Sequence, residues 1–274
     1  MSQNTFKNKF GPWSLVAGAA EGIGEAFCRE LAVKAMNIVL VDIKKQEMEE
    51  LAEKLEGEFG IQTVCLHTDL SKPTFLSDIL PFLKNYECRL LIYNAAFSRL
   101  KSFIDYTSEE LELFIATNTA APLHLVHAFS RQLKERGGGG GILLMSSLAG
   151  LIGMQLTIPY AATKAFLWNL GESLHYELKP EDIDVLTCIA GATDTPAYRS
   201  TNPRQSWPRP RVMDAGRVAR STLHRMGRRA RFIPGFSNRF EYFLLTRILP
   251  RSWAVGIANS SMKSLFGHHA QEGA

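Results

Sequence analysis

A tyrosine and a lysine stand four residues apart in the segment YAATK at residues 160–164. On a helix, residues at this spacing share one face, so the ammonium group of Lys164 would lie beside the phenol of Tyr160. A phenol with its ordinary pKa of about 10 is a poor base at neutral pH, and a neighbouring cation lowers that pKa by stabilising the phenolate. The pair therefore predicts proton transfer to or from an oxygen atom, although the spacing alone is unspecific.

A serine upstream extends this chemistry. Ser147 stands 13 residues before Tyr160 and follows an apolar run at 141–145 that predicts a strand. In parallel α/β folds ligands bind beyond the carboxyl ends of the strands, so the two hydroxyls would face one crevice. A hydroxyl there can donate a hydrogen bond to a carbonyl oxygen as negative charge develops on it. Ser146 is the alternative, and we interpret it as packing at the end of the strand.

The segment GAAEGIG at residues 18–24 predicts a nucleotide site. It lies between an apolar run and a helical segment, where glycines permit a tight turn and let backbone N–H groups approach a pyrophosphate. Asp42 follows Gly18 by 24 residues and ends the second apolar run. A carboxylate at that place can hold the ribose hydroxyls of an adenosine. The spacing G-x-x-x-G-x-G differs from the commoner G-x-G-x-x-G.

The elements that must position these residues alternate along the chain. Short runs that are apolar throughout, typical of strands buried on both faces, predict strands at 13–17, 38–41, 63–67, 90–93, 141–145, 185–189 and 231–234. Longer amphipathic segments predict helices at 23–34, 45–59, 73–84, 108–136, 159–178, 238–249 and 252–266. This order predicts an α/β fold with a single doubly wound parallel sheet (Rossmann fold), helices on both faces and a short helical C-terminal extension at about 238–270. We expect residues 1–274 to form one catalytic domain.

Composition excludes several classes of protein. The chain has 274 residues, of which 46% are hydrophobic and 21% charged, as in ordinary globular proteins, so disordered, collagen-like and coiled-coil structures are excluded. The four cysteines stand far apart, without a C-x-x-C pair. This spacing offers neither a metal site nor a disulfide framework and predicts a cytoplasmic location.

Charge is unevenly distributed. The formal net charge is +4, yet residues 199–274 hold 14 Lys and Arg against 3 Asp and Glu. Such a segment indicates an acidic ligand, an anionic membrane surface or simply a solvated basic face. No nucleic-acid recognition motif accompanies the arginines, so we expect no nucleic-acid partner.

Together these motifs resemble the short-chain dehydrogenase/reductase family over about residues 10–200. The family's usual patterns are T-G-x-x-x-G-x-G, N-N-A-G, a Y-x-x-x-K pair with a serine 13 residues before it, and P-G-x-x-x-T. Segments YNAA at 93–96 and AGATDT at 190–195 are similar to two of them. Four positions depart from the patterns, and we interpret them as changes in packing: Ala17, Tyr93, Ala96 and Ala190.

The resemblance implies hydride transfer between a nicotinamide and an alcohol or carbonyl compound. It implies that Tyr160 is the acid/base, that Lys164 lowers its pKa and holds the nicotinamide ribose, and that Ser147 orients the reacting oxygen. Asn118 is similar to the family's central-helix asparagine, which implies that it holds a water linking Lys164 to bulk solvent. The resemblance also implies a set of cofactor-binding residues: Gly18, Glu21, Gly22, Ile23, Gly24, Asp42, Asp69, Leu70, Asn94, Ala95, Ala96, Tyr160, Lys164, Gly191, Thr193 and Thr195.

Asp42 predicts a preference for NAD over NADP, because a carboxylate repels a 2′-phosphate. The neighbouring Lys44 and Lys45 would soften this preference. NADP therefore remains the alternative cofactor.

The substrate is predicted only by class. A Pro- and Arg-rich segment at about 196–215 stands where the family has a mobile lid. Apolar residues that either line a pocket or pack the core favour a bulky alcohol or ketone of lipid, sterol or acyl type: Phe97, Leu148, Leu151, Ile152, Met154, Trp207 and Met213. The alternatives are an NADP-dependent ketoacyl or carbonyl reductase and a non-catalytic dinucleotide-binding sensor or scaffold.

Two surfaces predict partners. The family commonly assembles through helices corresponding to 108–136 and 159–178, and the second carries surplus apolar residues that favour a homodimer or homotetramer: Phe166, Leu167, Trp168, Leu170 and Leu174. In the C-terminal extension, apolar residues recur at helical spacing beside Arg239, Arg247 and Arg251: Phe240, Phe243, Leu244, Ile248 and Leu249. That helix is interpreted as a cover over the substrate pocket, an oligomer contact or a weak peripheral contact with an anionic membrane.

Overall fold

The computed structural model describes residues 3–204 and 211–270. Seven parallel strands form the central sheet in the order β3-β2-β1-β4-β5-β6-β9. Their bounds are β1 Trp13–Ala17, β2 Asn37–Asp42, β3 Thr63–His67, β4 Cys88–Tyr93, β5 Gly140–Ser147, β6 Ile183–Ala190 and β9 Arg231–Phe232; β7 Thr193–Asp194 and β8 Met213–Asp214 pair separately. The predicted doubly wound parallel sheet is confirmed.

Helices cover both faces of the sheet. They are α1 Gln3–Phe10, α2 Gly22–Ala32, α3 Lys45–Phe59, α4 Phe75–Asn85, α5 Ser108–Ile115, α6 Ala121–Glu135, α7 Ile158–Glu177, α8 Pro196–Ser200, α9 Ala215–Leu223, α10 Phe236–Phe243 and α11 Arg251–Phe266. One core cluster joins the sheet to α1, α2, α3 and α9, and the second joins it to α4, α6 and α7. Along β2, Ile38 and Leu40 enter the first cluster, whereas Val39 and Val41 enter the second. This alternation explains why the four residues from Ile38 to Val41 are all apolar.

Several elements were not predicted. Helix α1 precedes the first strand and buries Phe6 and Phe10, which share a face at i, i+4 spacing. The segment predicted as a lid contains α8 and β8, and residues 205–210 of it, with Trp207, lie outside the described residues. Asp214 is the N-cap of helix α9, and its side chain accepts a hydrogen bond from the Arg217 N–H. That N-cap was readable in the sequence but was assigned to the loop.

The predicted helix 108–136 is interrupted. A π-helical turn at Ala116–Ala120 separates α5 from α6. Such turns insert one residue into the hydrogen-bonding pattern and are frequent at functional sites. The hydrophobic periodicity continues across it, so the sequence predicts one continuous helix.

The topology brings the candidate site residues to one edge of the sheet. Gly18, Asn94 and Gly191 directly follow β1, β4 and β6, while Asp42 and Ser147 end β2 and β5. Because these strands are parallel, all five residues lie at the same edge.

The C-terminal extension begins after the edge strand β9. Helix α10 continues into a second π-helical segment, Leu244–Ile248, before α11. One face of α11 is buried against loops near residues 100 and 154–156, through Met262, Leu265 and Phe266. Within the two described ranges, no helix combines the length and apolarity needed to cross a bilayer.

Candidate active site

Tyr160, Ser147 and Lys164 converge at the start of α7. The Ser147 hydroxyl lies close enough to the Tyr160 hydroxyl to influence its pKa, and it accepts a hydrogen bond from the Ala149 N–H at 3.2 Å. The Lys164 ammonium lies 5.4 Å from the centre of the Tyr160 ring and donates to the carbonyl oxygen of Met145 at 2.7 Å. The predicted face of α7 therefore carries both residues beside the end of β5.

Burial dominates the electrostatics of these groups. Burial raises the pKa of Tyr160, and the neighbouring Ser147 hydroxyl opposes that rise. Burial lowers the pKa of Lys164 to about 8. The Lys164 ammonium donates to the Met145 carbonyl oxygen, and burial has the largest effect on the pKa of Tyr160. The lowering of that pKa by Lys164 stays a prediction.

Both the oxygen and the nitrogen of the Asn118 side-chain amide are hydrogen-bonded to protein atoms. Its side-chain oxygen accepts from the Phe97 N–H at 2.7 Å, and its amide donates to the Phe97 carbonyl at 2.9 Å and to the Thr163 hydroxyl at 3.1 Å. The Thr163 hydroxyl in turn donates to the carbonyl oxygen of Tyr160. The side chain thus ties the turn after β4 to α7. Thr163 is a site residue that the sequence analysis missed.

Tyr93 contacts the π-helical turn through a hydrogen bond. It is fully buried, and its hydroxyl donates to the Thr117 carbonyl oxygen at 2.6 Å, one residue before Asn118. From the sequence, Tyr93 was interpreted as a departure from the family pattern that affects only packing. The structure instead gives its hydroxyl a defined partner within the turn that presents Asn118.

Ser146 has a structural contact. Its buried hydroxyl donates to the Lys164 carbonyl oxygen at 2.7 Å and fixes β5 against α7. The loop that follows also approaches α7 closely, since a Cβ on Gly150 would lie 2.7 Å from the backbone nitrogen of Ala165. These contacts agree with the interpretation of Ser146 as packing.

The glycine turn has the shape that an anionic group requires. A Cβ on Gly24 would lie 1.8 Å from the Gly18 carbonyl oxygen, and Gly18 itself has φ +78°. Glu21 is the N-cap of α2 but offers no side-chain acceptor to the first turn. The N–H groups of Gly22, Ile23 and Gly24 at this terminus fit a pyrophosphate.

Asp42 and Lys44 have partners beside this turn. The Asp42 carboxylate accepts from the Ala20 N–H at 2.8 Å and from the Lys44 N–H at 2.9 Å. The Lys44 ammonium binds the Glu21 carboxylate at 2.7 Å. That ion pair places a second carboxylate, from Glu21, beside the Asp42 end of the turn.

The remaining candidate cofactor residues differ in their surroundings. The Asn94 amide donates to the Gly18 carbonyl at 2.8 Å, and Ala95 packs against Gly18. Asp69 accepts from the hydroxyl and N–H of Ser71, while Leu70 is buried in the second core cluster. Ala96 is exposed at the end of this turn.

The segment after β6 reaches the glycine turn. Thr193 donates its hydroxyl to the Gly191 carbonyl, and Thr195 caps α8 by accepting from the Tyr198 N–H. A Cβ on Gly22 would lie 3.0 Å from the Thr195 methyl group, so these segments are in contact. Gly191 is covered by the buried side chain of Asn238, which leaves no room for a Cβ.

The predicted pocket residues do not share one pocket. A cavity of about 590 Å³ under α8 is lined by Met213 with Asp194, Tyr198 and Arg199. Another, of about 560 Å³, has Leu151, Ile152 and Met154 in its wall and lies between α7 and α11. Phe97 packs edge-on against Phe114. Neither cavity is lined by Tyr160.

The surplus apolar residues predicted for α7 are used within the chain. Leu167 is buried, Leu170 and Leu174 pack on the second core cluster, and the Trp168 ring lies 6.2 Å from that of Tyr242 of α10. Phe166 is half-buried, and the oligomer contact through α7 stays a prediction.

The arrangement supports proton transfer at an oxygen atom beside a bound dinucleotide. The two neighbouring hydroxyls of Ser147 and Tyr160 can hold such an atom, and the buried Lys164 ammonium lies beside the tyrosine ring. The described residues contain no cluster of His, Cys, Asp or Glu that could hold a metal ion.

Comparison with known proteins agrees with this chemistry. The sequence profile of the short chain dehydrogenase family matches residues 12–206. The chain is 28% identical over 234 residues to a 7beta-hydroxysteroid dehydrogenase of Clostridium sardiniense, covering 85% of this chain and 89% of that protein. It is also 28% identical over 250 residues to a very-long-chain 3-oxoacyl-CoA reductase of Meyerozyma guilliermondii, covering 86% and 72%.

A solved structure shows the same architecture. The short-chain dehydrogenase from Sphingobium yanoikuyae, in complex with NADPH, superposes with a TM-score of 0.75 at 27% identity, covering 85% of this chain and 92% of that one.

Proposed function

This chain belongs to the short-chain dehydrogenase/reductase family, and we propose that it transfers a hydride between a nicotinamide cofactor and a bulky hydrophobic alcohol or ketone. The contact between the hydroxyls of Ser147 and Tyr160 above the buried Lys164 carries this proposal. A dinucleotide-binding sensor or scaffold needs no such proton-transfer group, so the non-catalytic alternative is disfavoured.

Each site residue has a separate role in the proposed reaction. When bound, the nicotinamide cofactor accepts or supplies the hydride. Tyr160 donates its hydroxyl proton to the carbonyl oxygen in reduction and takes the alcohol proton in oxidation, while Ser147 holds the same oxygen by a hydrogen bond. The raised pKa of Tyr160 keeps its hydroxyl protonated at neutral pH, which suits the reductive direction. Lys164 would hold the nicotinamide ribose and stabilise the phenolate.

The glycine turn fits the cofactor's pyrophosphate, and Asp42 would hold the adenosine ribose. We propose a preference for NAD, because Asp42 repels a 2′-phosphate and Lys44 is paired with Glu21. NADP remains the alternative, since the Sphingobium yanoikuyae relative was solved with NADPH. Replacing Asp42 by Ala should raise the ratio of kcat/KM for NADP over that for NAD. A wild-type protein that already prefers NADP would contradict this role of Asp42.

The substrate class is proposed from two sources. Relatives are named for hydroxysteroids and for very-long-chain 3-oxoacyl-CoA, which are both large and hydrophobic. Apolar residues follow Ser147 directly, in the segment LAGLIGM at 148–154. The second candidate function, an NADP-dependent ketoacyl reductase, is favoured by the 3-oxoacyl-CoA reductases among the relatives.

We also propose a cytoplasmic homodimer or homotetramer. The four cysteines are free, as in proteins of a reducing compartment. Three exposed apolar residues on the outer faces of α5, α6 and α7 support a two-fold contact through these helices: Ile115, Leu123 and Ile158. The C-terminal helices would add a weak peripheral contact with membranes.

A substrate screen tests the proposal. The purified protein is incubated with hydroxysteroids, 3-oxoacyl thioesters, bulky aliphatic ketones and sugar alcohols, each with NAD(H) and NADP(H), and absorbance of the reduced cofactor is followed. The bulky hydrophobic compounds should give higher kcat/KM than the sugar alcohols. Turnover confined to sugar alcohols, or no turnover with any compound, would contradict the proposed substrate class.

A further inference from the structure

Helix α10 and the π-helical segment that follows it present an apolar face to solvent. Phe236, Phe240 and Phe243 are 76%, 59% and 51% exposed, and Ile248 is 58% exposed. Their spacing of three to five residues places them along one side of the helix. Proteins that work alone in water rarely expose a contiguous apolar patch of this kind, so the patch needs an explanation.

The opposite side of α10 is firmly attached to the catalytic domain. Tyr242 lies 6.2 Å from Trp168 of α7, and the Arg231 guanidinium lies over both rings at 5.6 and 5.7 Å. Asn238 is buried over Gly191 and donates to the Pro234 carbonyl. These contacts hold the outward face in place on the catalytic domain, and the interpretation of the extension as a pocket cover stays a prediction.

Arginines accompany this apolar face. Arg239 and Arg247 stand four residues to either side of Phe243, and Arg251 begins α11. In the part of the chain that the structure describes, no carboxylate lies within ion-pair distance of these three, although Arg220 and Arg231 both have acidic partners. Glu241 is the single acidic residue between positions 236 and 266. The face thus combines exposed aromatic rings with uncompensated positive charge.

We propose that this aromatic–arginine face, formed by Phe236, Phe240, Phe243 and Ile248 with Arg239, Arg247 and Arg251, binds the surface of an anionic lipid bilayer. Aromatic and aliphatic side chains would enter the boundary between headgroups and acyl chains, and the arginines would contact lipid phosphates. The segment 236–248 is about 20 Å long at 1.5 Å per residue, which suits a helix lying in the interface and not one crossing it.

Charge selects the bilayer over a second copy of this chain. A two-fold contact through this face would bring six arginines into one interface, with one glutamate per chain to offset them. An anionic lipid surface supplies the missing negative charge. This proposal does not depend on which substrate the enzyme uses, because none of these residues belongs to the proposed catalytic or cofactor site.

Co-sedimentation with vesicles tests the proposal. The full chain is mixed with phosphatidylcholine vesicles, with or without phosphatidylserine, over a series of NaCl concentrations. Binding should require phosphatidylserine and weaken as salt screens the charges. Equal recovery with both vesicle types at every salt concentration, or no binding to either, would overturn the proposal.

Two variants separate the contributions of the face. Combined Phe240→Ser, Phe243→Ser and Ile248→Ser should lower the partition coefficient at least about tenfold, and combined Arg239→Gln and Arg247→Gln should also lower it, since each basic residue near an anionic surface contributes to binding. Lys54→Gln with Lys84→Gln is the control for charge, because α3 and α4 lie beyond the opposite part of the sheet from β9. That control should bind as the wild type does.

Activity and subunit number complete the test. All three variants should retain wild-type kcat/KM with a water-soluble substrate and the wild-type mass in light scattering, which shows that they are folded. If the serine variant loses vesicle binding no more than the lysine control, the proposal is wrong. If it instead reduces the number of subunits without vesicles present, the face binds a second copy of the chain.

Discussion

Lys164 is required for chemistry at a place where a charged group is costly. Its side chain is 3% exposed, and burial lowers its pKa to about 8 from an ordinary value of 10.5. At pH 7 the folded protein must therefore hold an ammonium group that its surroundings disfavour. A single hydrogen bond to the Met145 carbonyl offsets part of that cost.

We expect Lys164→Met to abolish turnover and to stabilise the protein at pH 7. The shift in the lysine pKa corresponds to about 3 kcal/mol at most, and the unpaired Met145 carbonyl reduces the gain to roughly 1–2 kcal/mol. Because the folded pKa is lowered, the cost is fully present below pH 8 and is relieved as pH rises from about 8 to 10.5. Urea unfolding at pH 7 and at alkaline pH should show the advantage of the variant shrinking.

Lys9→Met is a control of opposite sign. Burial tends to lower the pKa of Lys9, but its hydrogen bond with Asp184 and the charges of Asp184 and Asp182 outweigh burial and raise it. That variant should lose stability at pH 7. A Lys164→Met protein less stable than the wild type at pH 7, or an advantage independent of pH, would contradict the account of Lys164.

Among the helices and strands, the π-helical turn between α5 and α6 matters most for the position of the site residues. It presents Asn118, whose amide joins the turn after β4 to α7 through Phe97 and Thr163. The Tyr93 hydroxyl fixes the Thr117 carbonyl within the same turn. An altered turn would therefore shift α7 relative to the cleft.

Tyr93→Phe should lower kcat about three- to tenfold and destabilise the fold by roughly 1–2 kcal/mol, because the buried Thr117 carbonyl loses its donor. The dissociation constant of the reduced cofactor should change little. Tyr106→Phe is the matched control, since Tyr106 also donates to a main-chain carbonyl, that of Arg99. If both variants lower kcat equally, Tyr93 has no special role in positioning the site.

The elements also show what could be predicted from sequence. Strands and major helices were predictable because β1, β2, β4, β5 and β6 are mostly apolar and α2, α3 and α4 repeat apolar residues at helical spacing. The π-helical turn was not, because one inserted residue in Ala116–Ala120 leaves the apolar pattern almost unchanged. The partners of Asn118 were equally hidden, since Phe97 and Thr163 lie 21 and 45 residues away in sequence.

The sequence also did not reveal which apolar residues are covered within the chain. Trp168 and Leu174 appeared surplus because the partner elements that cover them, α10 and the sheet, are remote in the chain. The aromatic residues of α10 were left with several interpretations, because periodicity shows which residues share a face of a helix but not what that face contacts. Only the folded chain distinguishes the buried Tyr242 side from the exposed Phe240 side.

For the whole molecule, a helical surface remains for assembly. Ile115, Leu123 and Ile158 are exposed on α5, α6 and α7. We expect a dimer or tetramer at micromolar concentration, and Leu123→Arg should reduce the mass in light scattering because it places a charge in the two-fold contact. Gln46→Arg on α3 adds the same charge far from that contact and should leave the mass unchanged. A wild-type monomer would refute the proposed assembly.

The central claim is that Tyr160 exchanges a proton with the substrate oxygen, and Tyr160→Phe tests it most directly. The substitution removes the hydroxyl but keeps the ring beside Lys164, so the fold and the glycine turn should be preserved. With the best substrate from the screen, kcat should fall at least about 100-fold, the usual scale for general acid–base catalysis, while the dissociation constant of NADH stays near that of the wild type. Near-normal turnover by this variant would contradict the assignment of Tyr160 as the catalytic acid/base.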